Sequence, residues 1–539
     1  MLQKRLALPL PLPFAALVLL ALAYALPGLL GHDPWKTDDA IGAGIVHQML
    51  RHGEWLVPSL AGEPFVEDGP LYYWLGAAFA WLASPVLELH NAARLASAVF
   101  VLLAFTFVRL AARELYGRAE GDAAMLALLG SVGLLIHAHE NVGEIGVLAA
   151  HALALYALAL ARRSSLKAGA LLGVAWATAL LCKGLGAALV PLLAALIVPL
   201  ACRDWRTRGY AAALALGTLI CASVSLAWLW TAHAYAPAAL VQWLNYQVNA
   251  LAEPTRAAVA DYVVELSWAA WPAWPIALWV LWVWRRRVLE ASVAMPLAAL
   301  ASASAFVAMT PDYREVNLLT LLPPLALLAG AGVPLLRRGA ANALAWFGGM
   351  TFGFFGFLVW LGWFAMMTGV PAQIARNFAK LEPGHQPQFH GWNFAVAAVI
   401  TLAWLFVLLR SDRSPFRSVT FWAAGVTLLW GLIMTLWIGW IDYGKTYRPV
   451  ALALKRALPQ GARCVESRNL GEAQRAAFDY HAGIVTLRAE LHPRGRCPVL
   501  LVKARPGDDD RALSPQWRRI WEGNRPRDKE RYRLYVRRQ

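Results

Sequence analysis

Two adjacent carboxylates, Asp38 and Asp39, are the first residues in the chain whose type and position could do chemistry. They follow an apolar run over residues 10–30, which is long enough to form a membrane helix. A carboxylate there could take the proton from an acceptor hydroxyl as that hydroxyl attacks an anomeric carbon. The pair could instead lie in the first turn of a helix and stabilise the helix dipole. The residues alone leave both interpretations open.

A second candidate set lies in the segment 137–144, which contains His137, His139, Glu140 and Glu144. Imidazole and carboxylate groups at this spacing could bind a divalent ion. They match no recognised ligand pattern, and a solvated turn explains them as well. Glu144, at the start of the next apolar run, is the member predicted to support catalysis. A divalent metal is therefore the one candidate cofactor, and its identity is unknown.

Three cations are candidates for binding a lipid phosphate. Lys183 interrupts two apolar runs at the tight turn Lys183-Gly184, where a lysine could bind phosphate as a point charge. It could equally extend to the membrane interface without a function, and Arg314 has the same two interpretations. Arg256 follows a stretch of aromatic and amide side chains suited to a sugar or a lipid. An aromatic belt at the membrane interface explains the nearby tryptophans, Trp243, Trp268, Trp271 and Trp274, equally well.

The composition determines which elements must position these residues. Of the 539 residues, 59% are hydrophobic and only 15% are charged, and the mean hydropathy is +0.49. Soluble domains carry roughly 25% charged residues, so the composition argues against a water-soluble fold. About thirteen runs have the length of a bilayer-spanning helix. They lie near residues 10–30, 92–112, 122–138, 145–161, 167–182, 185–201, 209–232, 264–284, 289–309, 317–335, 343–367, 392–409 and 418–440.

The formal net charge is +16, and the positions of the basic residues indicate the topology of these helices. Every second connection carries a basic cluster, such as Arg162-Arg163, Arg285-Arg286-Arg287 or Arg337-Arg338, as expected for cytoplasmic loops. No single exposed basic face or motif indicates a nucleic-acid partner. The longer connections, with their acids and aromatics, are therefore predicted to lie outside the cytoplasm.

Two of the outer segments are predicted to have structure of their own. Segment 31–91 should contain an amphipathic helix at the membrane surface, followed by a re-entrant or interfacial helix over 70–86. After a membrane domain of residues 1–441, residues 442–539 are predicted to form a small α/β domain outside the membrane. Its predicted elements are a helix near 470–481 and strands at 462–467, 499–503 and 532–536. A disulfide between Cys464 and Cys497 is left open.

The ordered motifs resemble a known family. The stretch Asp38-Asp39-Ala-Ile-Gly-Ala-Gly-Ile-Val-His, with Gly-Glu-Trp-Leu-Val-Pro at 53–58 and Leu-Tyr-Tyr-Trp-Leu at 71–75, looks like the first outer loop of one group of membrane glycosyltransferases. That group, the aminoarabinose transferases and protein mannosyltransferases, has the GT-C fold. Ala93-Arg94-Leu95, Cys182-Lys183-Gly184 and Leu321-Leu322-Pro323-Pro324 are similar to later family landmarks in the same order.

The resemblance implies an α-helical multi-pass protein of the GT-C type. It also implies a polyprenyl-phosphate sugar donor, an inverting displacement and a catalytic acid in the Asp38-Asp39 pair. Glu144 matches an acid of the second outer loop, and Lys183 a lysine near the donor phosphate. Substrate contacts are expected from the first outer loop, at Glu67, Asp68, Tyr72 and Tyr73.

The chain departs from the family pattern at two cations. The family's usual Glu-Lys-Pro-Pro is Glu67-Asp68-Gly69-Pro70 here, and an arginine expected two residues after the acidic pair is Ile41. Phosphate recognition depends on charge-assisted hydrogen bonds, so the phosphate must be held by Lys183, Arg256 or Arg314, or the donor must differ.

Three functional hypotheses follow. The leading one is an enzyme of the bacterial inner membrane that transfers a sugar from a polyprenyl-phosphate donor to a lipid A-like lipid, a glycan or a protein on the periplasmic side. Its partners would be that donor, the envelope acceptor and membrane lipid. A transporter of lipid-linked sugar is the second, although no internal repeat supports it. The third is a protein that binds the lipid carrier without catalysing transfer.

Overall fold

The chain is a bundle of membrane helices with a small mixed sheet at its C-terminal end. The computed structural model describes residues 10–35, 37–252, 259–310, 314–462, 464–491, 497–505, 507, 516–526 and 528–538. Within these residues, nine helices are long and apolar enough to cross a membrane, so the predicted helical multi-pass class is confirmed. They are Leu89–Leu115, Gly143–Leu160, Ser165–Lys183, Arg208–Tyr235, Ala291–Met309, Glu315–Leu335, Arg338–Thr368, Gly391–Arg410 and Arg417–Leu436.

The predicted number of thirteen spans is not confirmed, because several runs fold as shorter or broken helices. The first run forms only Phe14–Ala25, since Pro27 and Gly28 follow it directly. The run near 122–138 divides into Arg118–Leu129 and Leu134–His137. The run near 264–284 bends by 95° between Tyr262–Ala269 and Ala273–Val283, and Leu185–Ala201 contains Pro191 and Pro199. Two further helices, Pro237–Ala252 and Ala372–Leu381, connect spans.

The first outer segment builds a covered layer on the bundle. The predicted amphipathic helix is Asp38–His52, here called the surface helix, and the predicted interfacial helix is Leu71–Ala83. At 13 residues the second helix is about 20 Å long, too short to cross a bilayer. A small hairpin of Ser59–Leu60 and Glu63–Pro64 lies between them, and the short helix Leu89–Ala93 ends the segment.

The surface helix is more enclosed than an amphipathic helix on a membrane surface, because ten of its fifteen residues are buried. Its sequence allows this enclosure. A Cβ atom at Gly42 would lie 1.9 Å from the carbonyl oxygen of Asn141, so only glycine permits the helix to pack this closely on the segment before Gly143–Leu160. The opposite side of the helix is covered by Glu472–Ala482 from the C-terminal part of the chain, where Gln48 donates a hydrogen bond to Asp479.

The C-terminal part, called the tail domain from residue 446 onward, contains the predicted α/β elements. The predicted helix is Glu472–Ala482, and the predicted strands are Val465–Arg468, Val499–Ala504 and Arg531–Arg537. Two strands that the sequence did not reveal, Thr486–Arg488 and Trp517–Gly523, complete a five-stranded sheet. The helix Ile438–Lys445 connects this domain to the last span, and Arg448–Ala457 is the first helix of the domain. Because Ile438–Lys445 runs across position 441, the domain boundary there stays a prediction.

The sheet has the strand order Thr486–Arg488, Val465–Arg468, Val499–Ala504, Arg531–Arg537, Trp517–Gly523. The first three strands are parallel to one another. Arg531–Arg537 pairs antiparallel with both of its neighbours, Val499–Ala504 and Trp517–Gly523. Cys464 and Cys497 form a disulfide just before two adjacent parallel strands, with their Cα atoms 5.1 Å apart. The question that the sequence left open is thereby answered in favour of the bridge.

Candidate functional site

Asp38 and Asp39 begin the surface helix, but their side chains point to different surroundings. Successive residues of a helix are about 100° apart around its axis, so neighbours cannot share one environment. The carboxylate of Asp39, 1% exposed, accepts hydrogen bonds from Arg94 at 2.6 and 3.1 Å. It also accepts bonds from the backbone and side-chain amides of Asn141 at 3.0 and 2.8 Å. Asp39 therefore lies inside the protein, with its hydrogen-bonding capacity used.

Arg94 is completely buried at the start of a membrane span and binds the segment before the surface helix. It donates to the carbonyl oxygens of Leu29, His32 and Asp33 at 3.3, 3.0 and 3.0 Å. Burial by itself raises the pKa of Asp39, but the positive charge of Arg94 and its hydrogen bonds outweigh burial and lower that pKa to about 2. The Asp39–Arg94 pair is therefore ionised and fixes the position of the helix that presents Asp38.

Asp33 extends the same network to the tail domain. Arg448 forms an ion pair with Asp33 and donates to Glu88 at 2.6 Å, while the Thr446 hydroxyl donates to Asp33 at 2.6 Å. The pKa of Asp33 is about 2, because the hydrogen bonds from Arg448 and Thr446 outweigh the burial that would raise it. We call Asp33, Asp39, Arg94, Asn141 and Arg448 the anchor network.

Asp38, in contrast, is 22% exposed and faces a cavity. Arg314 donates to it at 2.9 Å and to Glu67 at 2.7 Å, so one guanidinium bridges two carboxylates from different parts of the outer segment. Burial raises the pKa of both Asp38 and Glu67, and the charge of Arg314 only partly opposes that effect. A carboxylate with a raised pKa is a better proton acceptor near neutral pH.

Lys183 forms the second half of the site. It makes an ion pair with Asp68 and another with Glu144 at 2.7 Å, and the hydroxyl of Tyr73 donates to Asp68 at 2.5 Å. The turn that carries Asp68 approaches Lys183 closely, because the amide of Gly69 donates to the carbonyl oxygen of Cys182 at 3.0 Å. A Cβ atom at Gly69 would lie 2.2 Å from the Leu181 carbonyl oxygen, which excludes other residues.

These residues form one group, which we call the reaction cluster. Arg314 lies 3.9 Å from Glu144 and thereby joins the two halves. The cluster consists of Asp38, Glu67, Asp68, Glu144, Lys183 and Arg314. Within the described part of the chain it contains four carboxylates and two cations, so it has more negative than positive charge.

Two cavities meet at the cluster. The first, about 240 Å³, is here called the apolar cavity and lies among the helices Leu185–Ala201, Pro237–Ala252 and Ala291–Met309. Its polar end is formed by Glu67, Lys183, Gln247 and Arg314, and the rest of its wall is largely aliphatic and aromatic. Leu193 and Met309 in that wall are more than a third exposed, so the cavity opens on the side of the bundle that would face lipid.

The second, about 560 Å³, is here called the polar cavity and lies between the bundle and the tail domain. Asp38, Ile41, Glu67, Arg314 and His137 line it from the bundle. Its wall on the tail side contains Glu472, Gln474 and Lys503. Glu67 and Arg314 belong to both cavities, so a molecule in one can meet a molecule in the other at the reaction cluster.

Most of the described residues predicted for the site therefore converge, but two of them, Tyr72 and Asp39, lie elsewhere. Tyr72 is buried and shares a 2.6 Å hydrogen bond with Ser97, so it packs the helices behind the site. Asp39 belongs to the anchor network and lines neither cavity. Arg256 lies outside the described residues.

The candidate metal ligands of segment 137–144 do not converge. Both ring nitrogens of His139 are within hydrogen-bonding distance of backbone carbonyl oxygens, of Leu135 and Tyr24, while His137 pairs with Glu140 at 2.8 Å. Among the residues that the structure describes, a ligand-like group occurs only at Asp33, Glu88 and His90, where Arg448 already binds both carboxylates. A divalent metal in this protein stays a prediction.

The sequence did not identify two parts of the site. Arg94 was recognised only as part of a motif, although a lone arginine within an apolar run is a signal of a buried functional ion pair. Gln474 and Lys503 of the tail domain line the polar cavity, and no local pattern marks them.

The overall fold is similar to that of a protein of known structure. Superposition on the ArnT protein of Cupriavidus metallidurans, in the crystal structure bound to undecaprenyl phosphate, gives a TM-score of 0.68 at 18% sequence identity. The match covers 97% of each chain, and the apo structure of that protein gives the same values. The protein therefore has the same fold, a multi-pass helical GT-C fold with a small C-terminal sheet domain.

Sequence comparisons identify a family model and individual enzymes to which the chain is similar. Residues 67–228 match the family model for dolichyl-phosphate-mannose-protein mannosyltransferase. An undecaprenyl phosphate-alpha-4-amino-4-deoxy-L-arabinose arabinosyl transferase of Pseudomonas aeruginosa is 28% identical over 499 residues, which is 88% of this chain and 85% of the relative. A relative of the same name, numbered 1, from Sodalis glossinidius is 31% identical over 215 residues, 39% of this chain and 38% of that one. The chain is therefore similar to the aminoarabinose transferases and to the protein mannosyltransferase family, and like those relatives it is a glycosyltransferase.

Proposed function

We propose that this protein transfers a sugar from a polyprenyl-phosphate donor to an envelope acceptor by an inverting displacement, with Asp38 as the base. The observation that carries the proposal is the position of Arg314 at the junction of an apolar and a polar cavity. Lys183 lies on the apolar side of that junction and Asp38 on the polar side. This arrangement suits a lipid-linked sugar whose phosphate meets an acceptor hydroxyl at one point.

The apolar cavity would hold the first part of the polyprenyl chain, because its wall is aliphatic and it opens toward lipid. The donor phosphate would lie at the polar end, where Lys183 and Arg314 are the described cations. A phosphate oxygen there competes with Asp38 and Glu67 for Arg314. Donor binding would thereby release the carboxylate of Asp38 from its present partner.

The chemical step follows from these positions. Asp38 takes the proton of an acceptor hydroxyl in the polar cavity, and the hydroxyl oxygen forms a bond to the anomeric carbon. The bond from that carbon to the phosphate oxygen breaks, and the phosphate leaves with the electron pair. Lys183 and Arg314 stabilise the charge that develops on the leaving phosphate. Glu144 orients Lys183 through their 2.7 Å ion pair.

The polar cavity would receive the acceptor, and the tail domain would contribute to its binding. Gln474 and Lys503 face the cavity from the tail side, where they can contact polar groups of a lipid headgroup, a glycan or a protein. The two cavities, Asp38 and the tail domain would lie on the periplasmic face of a bacterial inner membrane. The basic connections on the opposite side of the spans support this orientation.

One observation favours a second function, which is binding of the lipid carrier without sugar transfer. Four carboxylates and two cations make the reaction cluster a weak phosphate site, and the two family cations are replaced by Ile41 and Asp68. Because Asp68 pairs with Lys183, part of the positive charge needed for a phosphate is already compensated.

The deciding experiment uses the full chain in nanodiscs with radiolabelled undecaprenyl-phosphate sugars and extracted envelope lipids, glycans and proteins. We expect labelled acceptor from the wild type and a loss of label with Asp38→Asn. A turnover of Asp38→Asn equal to that of the wild type would remove Asp38 from the mechanism. Tight donor binding with no label in any acceptor would favour the carrier-binding function.

A further inference from the structure

A third cavity, of about 340 Å³, lies away from the reaction cluster. It is formed where the Arg338–Thr368 and Arg417–Leu436 spans end, the Gly391–Arg410 span begins and segment 382–390 crosses between them. None of its lining residues belongs to the apolar or the polar cavity. Its volume is within the range of small-molecule sites, roughly 300–1,000 Å³. We call it the aromatic cavity.

Aromatic rings form one part of its wall. Trp363, Trp440 and Tyr443 line the cavity; the first comes from the Arg338–Thr368 span and the other two from the helix Ile438–Lys445. The rings are held in place, since Trp440 donates to the Phe378 carbonyl oxygen at 3.4 Å and Tyr443 donates to that of Pro383 at 3.1 Å. Fixed aromatic rings offer flat apolar surfaces on which a sugar ring can stack through its C–H groups.

Neutral polar groups form the rest of the wall. Gln386, Gln388 and Asn393 carry amides that both donate and accept hydrogen bonds, and His385 adds an imidazole. The amide nitrogen of Asn393 is fixed by the Thr435 carbonyl oxygen at 3.2 Å, which aligns the side chain. Groups that donate and accept at once match hydroxyl groups, which do the same.

The charges of the wall exclude an anionic ligand. Among the residues that the structure describes, neither a lysine nor an arginine lines the aromatic cavity, whereas the polar cavity contains Arg314 and Lys503. Of the described lining residues, one carries a carboxylate: Asp442, whose Oδ1 accepts hydrogen bonds from the Asp33 amide at 3.0 Å and the Trp35 indole at 2.8 Å. A phosphate or a carboxylate in this cavity would meet negative charge without a counter-ion.

We propose that the aromatic cavity is a second ligand site, which binds a neutral saccharide at the membrane boundary. The three span ends place the cavity at the level of lipid headgroups, so the saccharide can belong to a glycolipid headgroup or to a free glycan. The two sources present the same chemistry to the wall: a hydroxyl-rich ring with an apolar face. The site is separate from the one where the sugar is transferred.

The test uses the full chain in nanodiscs free of detergents with sugar headgroups. Fluorescent nanodiscs are applied to a printed array of neutral, phosphorylated, sialylated and amine-bearing mono- and disaccharides. A second arm measures binding of maltose-labelled lipid-free probes and of vesicles that contain diglucosyldiacylglycerol. The variants are Gln386→Ala and Asn393→Ala, and Gln373→Ala on the neighbouring helix is the matched control, since it does not line the cavity.

We expect neutral sugars to bind, with affinity reduced about tenfold by Gln386→Ala and Asn393→Ala and unchanged by Gln373→Ala. Binding to vesicles alone would assign the site to a glycolipid, and binding in both arms to a saccharide from either source. The proposal is overturned if no neutral sugar binds in either arm, if only charged glycans bind, or if all three variants bind like the wild type. Thermal unfolding of each variant checks that the fold is retained.

Discussion

The reaction cluster and the anchor network each include one carboxylate from the start of the surface helix, Asp38 and Asp39 respectively. The two groups differ in the balance between their positive and negative charges. The anchor network contains two carboxylates and two guanidinium groups, and each described carboxylate in it accepts several hydrogen bonds. The reaction cluster contains four carboxylates and two cations and borders two cavities. Neighbouring residues of one helix, Asp39 and Asp38, therefore serve different purposes.

We infer from this difference that the anchor network serves stability and the reaction cluster serves chemistry. A balanced buried pair holds the geometry, because breaking it leaves an uncompensated charge. A cluster with unequal numbers of positive and negative groups at a cavity wall can still bind a charged or polar substrate. Such an imbalance of charge is expected at functional sites. Three substitutions and a series of pH values test this distinction, and they follow in order of decreasing effect.

The largest effect is expected from Asp38→Asn in the reaction cluster. An amide cannot accept the acceptor proton, so turnover should fall by about 10²–10⁴-fold, measured with radiolabelled donor. Asparagine can still accept the hydrogen bond from Arg314, so the unfolding temperature should stay within about 2 °C of that of the wild type. A large loss of thermal stability would show that Asp38 also anchors the fold.

Asp39→Asn in the anchor network should act through stability. It leaves the buried Arg94 without its counter-charge, which should lower the free energy of unfolding by about 3–5 kcal/mol in chemical denaturation. The double variant Asp39→Leu, Arg94→Met removes both charges and should recover part of that loss. If the double variant is no more stable than Asp39→Asn, the charge balance is not what Asp39 contributes.

Asp68→Asn tests whether the excess of carboxylates limits donor binding. The change frees Lys183 from one ion pair, while an asparagine can still accept from Tyr73. We expect the KM for the donor to fall by about tenfold with a smaller change in kcat. Tyr72→Phe is the matched control, because that hydroxyl bonds Ser97 behind the site and should leave the KM unchanged. An unchanged or higher KM for Asp68→Asn would mean that Asp68 does not compete with the phosphate.

The pH dependence of stability should have opposite signs in the two regions. The pKa values of Asp33 and Asp39 are lowered to about 2, so their contribution to stability is complete above the unfolded value of about 3.9 and is lost as the pH falls toward 2. The pKa of Asp38 is raised, so its ionisation opposes folding and protonation relieves this effect.

Thermal unfolding between pH 6 and pH 2 measures that difference. Compared with the wild type, Asp39→Asn should show a shallower loss of stability below about pH 4, and Asp38→Asn should not. Equal slopes for both variants would contradict the distinction between the two regions.

Much of the architecture followed from patterns that act over short distances. Run lengths and basic connections predicted the helical bundle, and local sequence patterns predicted the helix and three of the strands of the tail domain. The number of spans could not be predicted in this way, because Pro27, the break at 130–133 and the bend before Ala273 shorten or divide runs that are apolar throughout.

The reaction cluster was predicted in its membership but not in its arrangement. Asp38 and Glu67 come from different parts of the first outer segment, and Glu144, Lys183 and Arg314 come from three other connections. Only the fold shows that Arg314 bridges the first two. The different roles of Asp38 and Asp39 depend on Arg94, which is 55 residues distant in sequence from Asp39. The wall formed by Gln474 and Lys503 depends on how the tail domain docks, which no local pattern encodes.

The ion pair between Asp33 and Arg448 also has a consequence for how the protein is made. The first partner enters the membrane with the first helix, whereas the second is synthesised 415 residues later, after the last span. Until then the early outer segment lacks the contact that joins it to the tail domain. A ribosome-bound or truncated chain would thus carry every residue of the reaction cluster but lack the ion pair that joins the outer segment to the tail domain. The transition to a working enzyme should therefore coincide with completion of translation.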